Sequence, residues 1–281
     1  NVPWHMVISE KDYRSRLVAC LAAVWDVHEG LLSSDYGETL KIILTFLERI
    51  SRAAIDEKKL RSYLGEEVNP TTRSTLQSFL PESSGLASQA VYDIASTTTG
   101  RAVIKSGPRI LTLPVGCKDI LKSRDPGGSI LQVDYVSLEP RVALRCGKNE
   151  ADIPVDVYDT IASTVLGGKV SRSQAKIATL AVLYGMSSTK LSNLLGLSHS
   201  ASLIINKIRA FFGFHNLGKE LKDQFDTSGH VTNLFGRPLQ FEEYSEYLVY
   251  NHFVQSSATD IALVGFASLW EKLRVIDPRI K

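Results

Sequence analysis

The chain has 281 residues, of which 44% are hydrophobic and 22% are charged, which is enough apolar material for a buried core in one large domain or two. A formal net charge of only +2 at pH 7 excludes a uniformly basic surface, so any binding of nucleic acid must depend on the local distribution of charge. Three scattered cysteines, Cys20, Cys117 and Cys146, show no paired spacing, which argues against a disulfide framework or a zinc site and favours a reducing compartment.

The first eighty residues are predicted to be helical. Helical periodicity covers residues 11–28 and 38–55, and the second stretch places four aliphatic side chains on one face: Leu40, Ile43, Leu47 and Ile50. A third helix is expected to begin after an N-cap at Asn69 and to end at Pro81. The apolar run at 17–25 is too short to cross a bilayer and lacks the layout of a signal peptide. We therefore expect a soluble protein with no membrane contact.

Basic residues are concentrated between positions 101 and 124. Within this Gly- and Pro-containing, extended stretch a single acid, Asp119, is opposed by six bases: Arg101, Lys105, Arg109, Lys118, Lys122 and Arg124. The pattern indicates a wall that contacts phosphates, although a basic loop without a ligand is nearly as common.

An acidic residue follows a short apolar run. Residues 129–133 predict a strand, and Asp134 stands at its end. A carboxylate at a strand tip beside a turn is well placed to hold Mg²⁺. The alternative is an Asp that caps the next helix, with Glu139 and Arg141 as ordinary surface charges.

A helix predicted at 156–166 ends in two glycines, and the next helix, 171–185, opens at the N-cap candidate Ser171. On this second helix, four side chains recur at four-residue steps and so share one face: Arg172, Lys176, Leu180 and Tyr184. The two cations would hold a triphosphate, and the other two side chains would offer apolar surface to a base and sugar. The alternative is an amphipathic helix with a solvated basic edge.

The remaining sequence, from residue 198 onwards, predicts helices apart from one hairpin. We expect a helix at 198–212, a hairpin at 229–241 and a long helix at 244–273. The long helix would place Asn251 and Gln255 on one side, either as functional groups or as two surface amides.

Together these segments resemble family A DNA polymerases, the class of bacterial DNA polymerase I and many phage replicases. The first palm motif of that family looks like Asp-Tyr-Ser-x-x-Glu-x-Arg, and the chain matches it with Asp134, Tyr135, Glu139 and Arg141. The fingers helix looks like Arg-x-x-x-Lys-x-x-x-(Phe/Tyr)-x-x-x-Tyr-Gly, and the chain matches it with Arg172, Lys176, Tyr184 and Gly185. Three further segments follow the family's order, at 97–101, 229–237 and 255–261, so that the resemblance covers roughly residues 69–281.

The chain departs from the family pattern at several positions. Leu180 replaces the aromatic residue usual in the middle of the fingers helix, Val136 replaces the usual Ser, and Pro140 separates Glu139 from Arg141. Tyr247 stands where the family has an Arg, four residues before Asn251, which removes one expected DNA contact. The family's second catalytic aspartate, carried in a His-Asp hairpin, is not found up to Lys281, and we expect it to lie beyond the chain as given.

The resemblance implies an α+β fold built as a right hand, with an antiparallel-sheet palm, helical fingers and a short helical N-terminal and thumb region. The implied divisions are 1–90 for the N-terminal and thumb-like region, 91–150 for the first part of the palm, 151–228 for the fingers and 229–281 for the second part of the palm. It also implies template-directed DNA synthesis on a primer–template with dNTPs, in the cytoplasm of a bacterial or phage-infected cell and associated with the nucleoid. A processivity factor or replisome protein is an expected further partner.

The resemblance also assigns roles to individual residues. Asp134 and the backbone carbonyl of Tyr135 would bind two Mg²⁺ ions, with Mn²⁺ as a substitute. Asp134 and Lys176 would be catalytic, and the nucleotide would be bound by Arg172, Lys176, Leu180, Tyr184 and Glu139. DNA would be contacted by Arg101, Lys105, Arg141, Arg237, Asn251 and Gln255. Two alternatives stay open at this point: a single-subunit RNA polymerase, against which Glu139 argues, and a catalytically incomplete nucleic-acid-binding relative or fragment.

Overall fold

A computed structural model describes residues 3, 6–81, 85–147, 153–196 and 201–278. Its α-helices are α1 (Glu10–Leu32), α2 (Asp35–Arg49), α3 (Glu57–Glu66), α4 (Pro70–Gln77), α5 (Leu138–Cys146), α6 (Val157–Thr160), α7 (Arg172–Leu183), α8 (Ser188–Leu195), α9 (Ser202–Phe211), α10 (Phe214–Ser228) and α11 (Glu246–Ile276). A π-helical segment, Ile161–Val165, continues α6, and 3₁₀ turns occupy Ile110–Thr112 and Val115–Ile120. Short strands complete an α+β fold, as predicted.

The strands form small antiparallel pairs. They are β1 (Ala54–Ile55), β2 (Val91–Asp93), β3 (Val103–Ser106), β4 (Leu121–Lys122), β5 (His230–Thr232) and β6 (Pro238–Gln240). In the described parts of the chain β1 pairs with β4, β2 with β3, and β5 with β6. The last pair, in which His230 faces Gln240, confirms the predicted hairpin.

The predicted strand at 129–133 is wrong. The segment is an irregular, solvent-exposed stretch, in which the side chain of Leu131 is 80% exposed. None of the strands found in the described residues pairs with it. Without a neighbouring strand the backbone has no hydrogen-bond ladder to join, and the apolar side chains have no surface to pack on.

The predicted helix at 38–55 ends too late. α2 stops at Arg49, and Ile55 lies in β1 opposite Leu121. Ile55 is fully buried in a cluster with Leu60, Leu76 and Phe79, so pairing with a distant strand overrides the local helical pattern. The aliphatic face predicted for α2 is confirmed, because Ile43 and Leu47 are buried against residues of β2 and α11.

Helix boundaries elsewhere follow local capping signals. The side chain of Asn69 accepts hydrogen bonds from the first turn of α4, and Ser171 forms a complete capping box at α7. α11 confirms the predicted long helix. The helix predicted at 198–212 is described from Ser202 onwards, and its expected start lies outside the described residues.

The main core is helical and positions the candidate site. α11 packs against α2, α5 and α10, while α7 packs against α6, α9 and the π-helical segment. Ile161, Val182, Ile208 and Tyr250 are among the side chains buried where these helices meet. α11 is therefore the support against which both candidate motifs are held.

α1 lies outside this core. None of its residues is buried, and it contacts α2 near the corner that joins the two helices. Within the described ranges no single helix is both long and apolar enough to cross a bilayer; only α1 and α2 taken together, across a bend of 90°, meet the requirements of length and composition.

A buried ion pair fastens the hairpin to α11. Arg237 donates from Nε and Nη2 to the carboxylate of Asp260, at 3.1 and 2.9 Å, and Asp260 is fully buried. Asn233 donates to the same carboxylate at 2.7 Å, and the ring of Tyr36 lies 4.8 Å from the guanidinium carbon. The expectation that Arg237 contacts DNA is therefore not supported, because this side chain is buried and two of its guanidinium nitrogens donate to an internal acid.

This ion pair yields a prediction about stability. We expect Arg237→Ala to lower the free energy of unfolding by about 3–5 kcal/mol, since it leaves the buried carboxylate of Asp260 without its cation. Urea unfolding followed by circular dichroism measures the change. Arg61→Ala is the matched control, because Arg61 forms an exposed pair with Glu57 and should have little effect. Equal stability of the two variants would contradict the structural role of the ion pair.

Candidate active site

Asp134 lies just before the turn at 136–137 that leads into α5. Its carboxylate is exposed, and Oδ1 accepts a hydrogen bond from the N–H of Tyr135 at 2.9 Å. Ser137 has a left-handed conformation, with φ 53° and ψ 44°, and in the described chain no other non-glycine residue has a positive φ. Such strain is maintained only where surrounding structure holds it, and it is frequent at functional sites. Pro140 lies in the first turn of α5, where its missing N–H costs no helical hydrogen bond.

Tyr135 anchors this turn to α11. Its ring meets that of Phe266 edge to face, with centroids 5.1 Å apart. The hydroxyl group of Tyr135 occupies the space that a Cβ at Gly265 would need. The absence of a side chain at Gly265 therefore allows Tyr135, and with it the neighbouring Asp134, to sit close to the long helix.

The cations of α7 face Tyr158 and Asp156. Arg172 Nε donates to Asp156 Oδ2 at 2.7 Å, and this contact lowers the pKa of the Asp156 carboxyl and raises that of the Arg172 guanidinium. The Arg172 guanidinium carbon and Lys176 Nζ lie 5.7 and 5.9 Å from the centroid of the Tyr158 ring. The predicted shared face is thus confirmed for these two cations, and Arg172 already has a carboxylate partner.

The far end of α7 is tied to the segment that carries Asp134. Tyr184, its C-cap residue, donates from Oη to Glu139 Oε2 at 2.5 Å. Burial, and then the hydrogen bond to Glu139, raise the pKa of the Tyr184 hydroxyl, so it remains a neutral donor. Arg101 Nη2 lies 3.7 Å from the other oxygen of Glu139. Two segments that are separated in the sequence, 134–141 and 172–185, are therefore in direct contact.

Two grooves flank this junction. One, of about 630 Å³, runs between α7 and α8 and is lined by Leu180, Tyr184, Lys190 and Leu194 among others. The second, of about 270 Å³, lies between Arg101 and Glu139 on one side and Ala258 and Leu263 of α11 on the other. Leu180 and Tyr184 thus do line a predominantly apolar concavity, as a base or sugar would require.

The remaining predicted residues are distributed around the junction. Lys105 is exposed on β3, and Asn251 and Gln255 are partly exposed one turn apart on α11. Arg141 instead donates to the backbone carbonyls of Val136 and Val155, at 2.9 and 2.6 Å. Arg141 therefore braces the turn after Asp134, and two of its nitrogens already have acceptors.

The donor set fits a metal only in part. Among the described residues no group of three or more His, Cys, Asp or Glu side chains is placed to hold a metal ion. Asp134 offers one exposed carboxylate, which suits Mg²⁺ because this ion keeps several waters and is commonly held by one or two carboxylates together with substrate phosphates. A two-ion centre needs a further carboxylate, and Asp134 belongs to no cluster of three such ligands in the part of the chain that the structure describes.

Comparison with known proteins supports the assignment made from the motifs. The sequence pattern of DNA polymerase family A matches residues 67–278, which is most of the chain and includes both motifs. The chain belongs to DNA polymerase family A.

Family A relatives match the chain at moderate identity. DNA polymerase I of Rhizobium leguminosarum is 28% identical over 202 residues, which are 60% of this chain and 19% of that protein. DNA polymerase I of Caldicellulosiruptor bescii is 24% identical over 286 residues, covering 90% of this chain and 30% of that protein, and the DNA polymerase of Mycobacterium phage L5 is 26% identical over 151 residues, covering 52% and 25%. The chain therefore spans less than a third of the length of these relatives.

A family A structure has the same fold. The polymerase domain of Pol1 from M. smegmatis, solved in complex with a DNA primer–template and dNTP, superposes with a TM-score of 0.57 at 15% identity, covering 88% of this chain and 57% of that one. At this identity the match bears on the fold, and it agrees with the helix-rich architecture with small antiparallel sheets.

Two site residues were missed by the sequence analysis. Asp156 pairs with Arg172, and Tyr158 lies under both cations of α7. Asp156 also caps α6, accepting from the N–H groups of Tyr158 and Asp159 at 3.0 Å. An Asp just before a helical pattern signals an N-cap, but no sequence pattern indicated that its second oxygen would face Arg172.

The contact between Gly265 and Tyr135 can be tested by a double-mutant cycle. We expect Gly265→Ala to destabilise the chain by about 1–3 kcal/mol, because the added methyl group overlaps the Tyr135 hydroxyl. Combining it with Tyr135→Phe, which removes that hydroxyl, should recover part of the loss in urea unfolding. Gly65→Ala is the control, since a Cβ at that helical position meets nothing within 4 Å. Additive effects at 265 and 135 would refute the overlap.

Proposed function

We propose that this chain is the nucleotide- and primer-binding part of a DNA-directed DNA polymerase, which adds dNTPs to a primer 3′-OH. The observation that carries the proposal is the hydrogen bond between Tyr184 and Glu139, which joins the cationic helix α7 to the turn that presents Asp134. Membership of family A supports it, as does the likeness to a polymerase domain bound to primer–template and dNTP. Because the chain spans only a part of its relatives, the activity is proposed for the protein to which it belongs.

The triphosphate would be held at the N-terminal half of α7. Arg172 and Lys176 are both exposed and lie against the same ring, that of Tyr158. Arg172 would exchange the carboxylate of Asp156 for the β- and γ-phosphates, because a guanidinium binds either group with the same planar donors. Lys176 would bind the same phosphates and hold the proton that the leaving pyrophosphate takes up.

The base and sugar would lie towards the C-terminal half of α7. Leu180 and Tyr184 line the apolar groove beside this helix. Glu139, held by Tyr184 and close to Arg101, would occupy the space next to the sugar C2′. A ribose hydroxyl there would displace one of these contacts or leave the carboxylate poorly solvated, so the preferred substrate is a dNTP. This preference counts against an RNA polymerase.

Asp134 would be the metal-binding carboxylate, with the backbone carbonyl of Tyr135 as a second ligand. When bound, Mg²⁺, or Mn²⁺ in its place, lowers the pKa of the primer hydroxyl and neutralises charge on the pyrophosphate. The contact of Tyr135 with Phe266 anchors this segment to α11, and Glu139, a little further along the same segment, contacts α7. The second carboxylate of a two-ion centre would come from elsewhere in the protein.

The DNA would be contacted on both sides of this centre. Arg101 and Lys105 are exposed on one side, and they continue into the basic stretch that contains Lys118, Lys122 and Arg124. Asn251 and Gln255, which lie on α11, would reach the minor groove, where hydrogen-bond acceptors are common to all correct base pairs. Such contacts position the primer–template without reading its sequence.

We also propose that a further protein binds this chain. α1 exposes large apolar side chains, including Leu21, Val24 and Trp25, and offers a surface on which a processivity or replisome protein would dock. The proposed place of action is the nucleoid in the cytoplasm of a bacterial or phage-infected cell.

The metal assignment can be tested at Asp134. We expect Asp134→Ala to reduce Mg²⁺-dependent nucleotide incorporation on a primer–template by about 10³-fold or more, as expected on loss of an essential catalytic group. The Kd for the primer–template should change little, because the exposed basic groups that bind DNA are unaltered. Primer extension and fluorescence anisotropy measure the two quantities. Asp125→Ala removes another exposed acid nearby in the sequence and should leave both unchanged. Retained turnover in the Asp134 variant would overturn the assignment.

The sugar assignment can be tested at Glu139. We expect Glu139→Ala to reduce the preference for dNTP over NTP by at least about tenfold, because the carboxylate that excludes a 2′-hydroxyl is removed. The ratio of kcat/KM for a dNTP and the matching NTP on one primer measures it. Tyr184→Phe, which removes only the hydroxyl that holds Glu139, should produce a smaller change in the same direction. An unchanged ratio in the Glu139 variant would show that another group selects the sugar.

A further inference from the structure

Arg209 on α9 lies on a stack of aromatic rings. Its guanidinium carbon is 4.4 Å from the ring centroid of Tyr247 and 5.4 Å from that of Phe214. Phe214 in turn lies between Tyr247 and Tyr250, with centroids 5.6 and 4.2 Å away. The stack belongs to the main core through the fully buried Tyr250, so it holds the guanidinium in one place.

One donor of the guanidinium, Nε, has no hydrogen-bond acceptor in the part of the chain that is described. Its Nε is buried, and within the described residues no hydrogen-bond acceptor reaches it and no carboxylate pairs with Arg209. Contact with aromatic rings contributes about 0.5–2 kcal/mol, whereas a buried donor left without an acceptor costs about 1–3 kcal/mol. Arg209 as a whole is half-buried, and the planar donors of its guanidinium, held against the rings, suit an incoming anion.

The position of Arg209 relates it to the proposed site. Tyr247 lies directly behind Gly185, where an added Cβ would come within 3.2 Å of the Tyr247 Cβ. Gly185 follows Tyr184, the residue that meets Glu139. On α11, Tyr247 is followed at four-residue steps by Asn251 and Gln255. Arg209 therefore stands at one end of the row of proposed DNA contacts, next to the C-terminal end of α7.

The anion that would bind Arg209 is not the triphosphate of the nucleotide. Arg172 begins α7 and Tyr184 caps its other end. At a rise of about 1.5 Å per residue, those ends are roughly 18 Å apart. Arg172 and Lys176 bind phosphates at one end, and Arg209 lies beyond the other. A nucleic-acid strand, which carries a phosphate at every nucleotide, places anions at both ends.

We propose that Arg209 binds a backbone phosphate of the unpaired template strand, immediately ahead of the base pair being formed, and that Tyr247 holds its guanidinium for this contact. This inference rests on the proposed function and adds a DNA-binding residue that none of the motifs contains. A guanidinium that is fixed in advance loses little conformational freedom when it binds, so the contact contributes to affinity and to its salt dependence.

The test compares two DNA substrates. Arg209→Met keeps an unbranched stem against the aromatic rings and removes the charge and the donors. Fluorescence anisotropy over a range of salt concentrations gives Kd for a primer–template with a 5′ template overhang and for a blunt duplex of the same paired length. We expect Arg209→Met to weaken binding to the overhang substrate about three- to tenfold and to reduce its salt slope by roughly one, with little change for the blunt duplex.

Three controls separate this contact from other effects. Lys207→Met removes an exposed cation from the same helix and should leave the two Kd values near those of the unaltered chain. Arg209→Lys retains the charge and should recover part of the salt slope. Urea unfolding establishes that each variant is folded under the conditions of the binding assay.

The outcomes are distinct. A loss confined to the overhang substrate supports the inference. An equal loss on both substrates, or no loss on either, overturns it. If the unaltered chain binds neither substrate, the proposed function has failed; if it binds both and Arg209→Met binds them equally well, only the role of Arg209 has failed.

Discussion

The hydrogen bond between Tyr184 and Glu139 is the contact on which the rest of the site depends. It joins the C-terminal end of α7 to the first turn of α5, which follows Asp134 closely in the sequence. Partial burial keeps the Tyr184 hydroxyl protonated, because the same surroundings that strengthen the bond raise its pKa. Without this contact, α7 would be an amphipathic helix with a basic edge, which is the alternative that its sequence alone allowed.

Local signals predicted the helices that form this site. The capping box at Ser171 and the four-residue spacing from Arg172 to Tyr184 depend only on neighbours in the chain, so the sequence was enough to place α7 and its exposed face. The strand at 129–133 could not be settled in this way, because a strand needs a partner and its apolar residues alone provide none. The end of α2 was misplaced for a related reason, since Ile55 is drawn into β1 by a residue more than sixty positions away.

The candidate site residues also divide into those that the sequence indicated and those whose contacts became clear only from the fold. The resemblance assigned Glu139 and Tyr184 to one nucleotide site, and the structure shows these two residues in contact. The resemblance assigned Arg237 to DNA, whereas the structure pairs it with Asp260 on another element. A basic residue in a sequence indicates a cation but not whether its charge reaches solvent. Only the fold separates Arg237, which is buried in an ion pair, from Lys105, which is exposed.

The electrostatics of the site follow from which cations already have partners. Arg172 and Arg101 lie against Asp156 and Glu139, so a bound phosphate must compete with an internal carboxylate for Arg172. The lowered pKa of Asp156 means that its pairing contributes at neutral pH and is lost as the pH falls below the normal carboxyl range. An anion of low charge would gain little binding free energy by displacing Asp156 from Arg172. A triphosphate carries several charges and would also contact Lys176, so its gain would be larger. The pair therefore favours highly charged ligands over single phosphates.

The proposed role of Arg209 would replace in space a contact that is not replaced at the matching position of the sequence. The family pattern has an Arg at the position of Tyr247, and a comparison of motifs would record its absence as a missing DNA contact. In the fold, a guanidinium from α9 lies over the ring of Tyr247, so a cation reaches the same neighbourhood from a different helix. The Tyr at position 247 is then more than the loss of the family's Arg, because its ring provides the surface on which the Arg209 guanidinium is held. Arg209 and Tyr247 are thirty-eight residues apart in the sequence and are in contact in the fold. The role of either residue can be understood only from this contact.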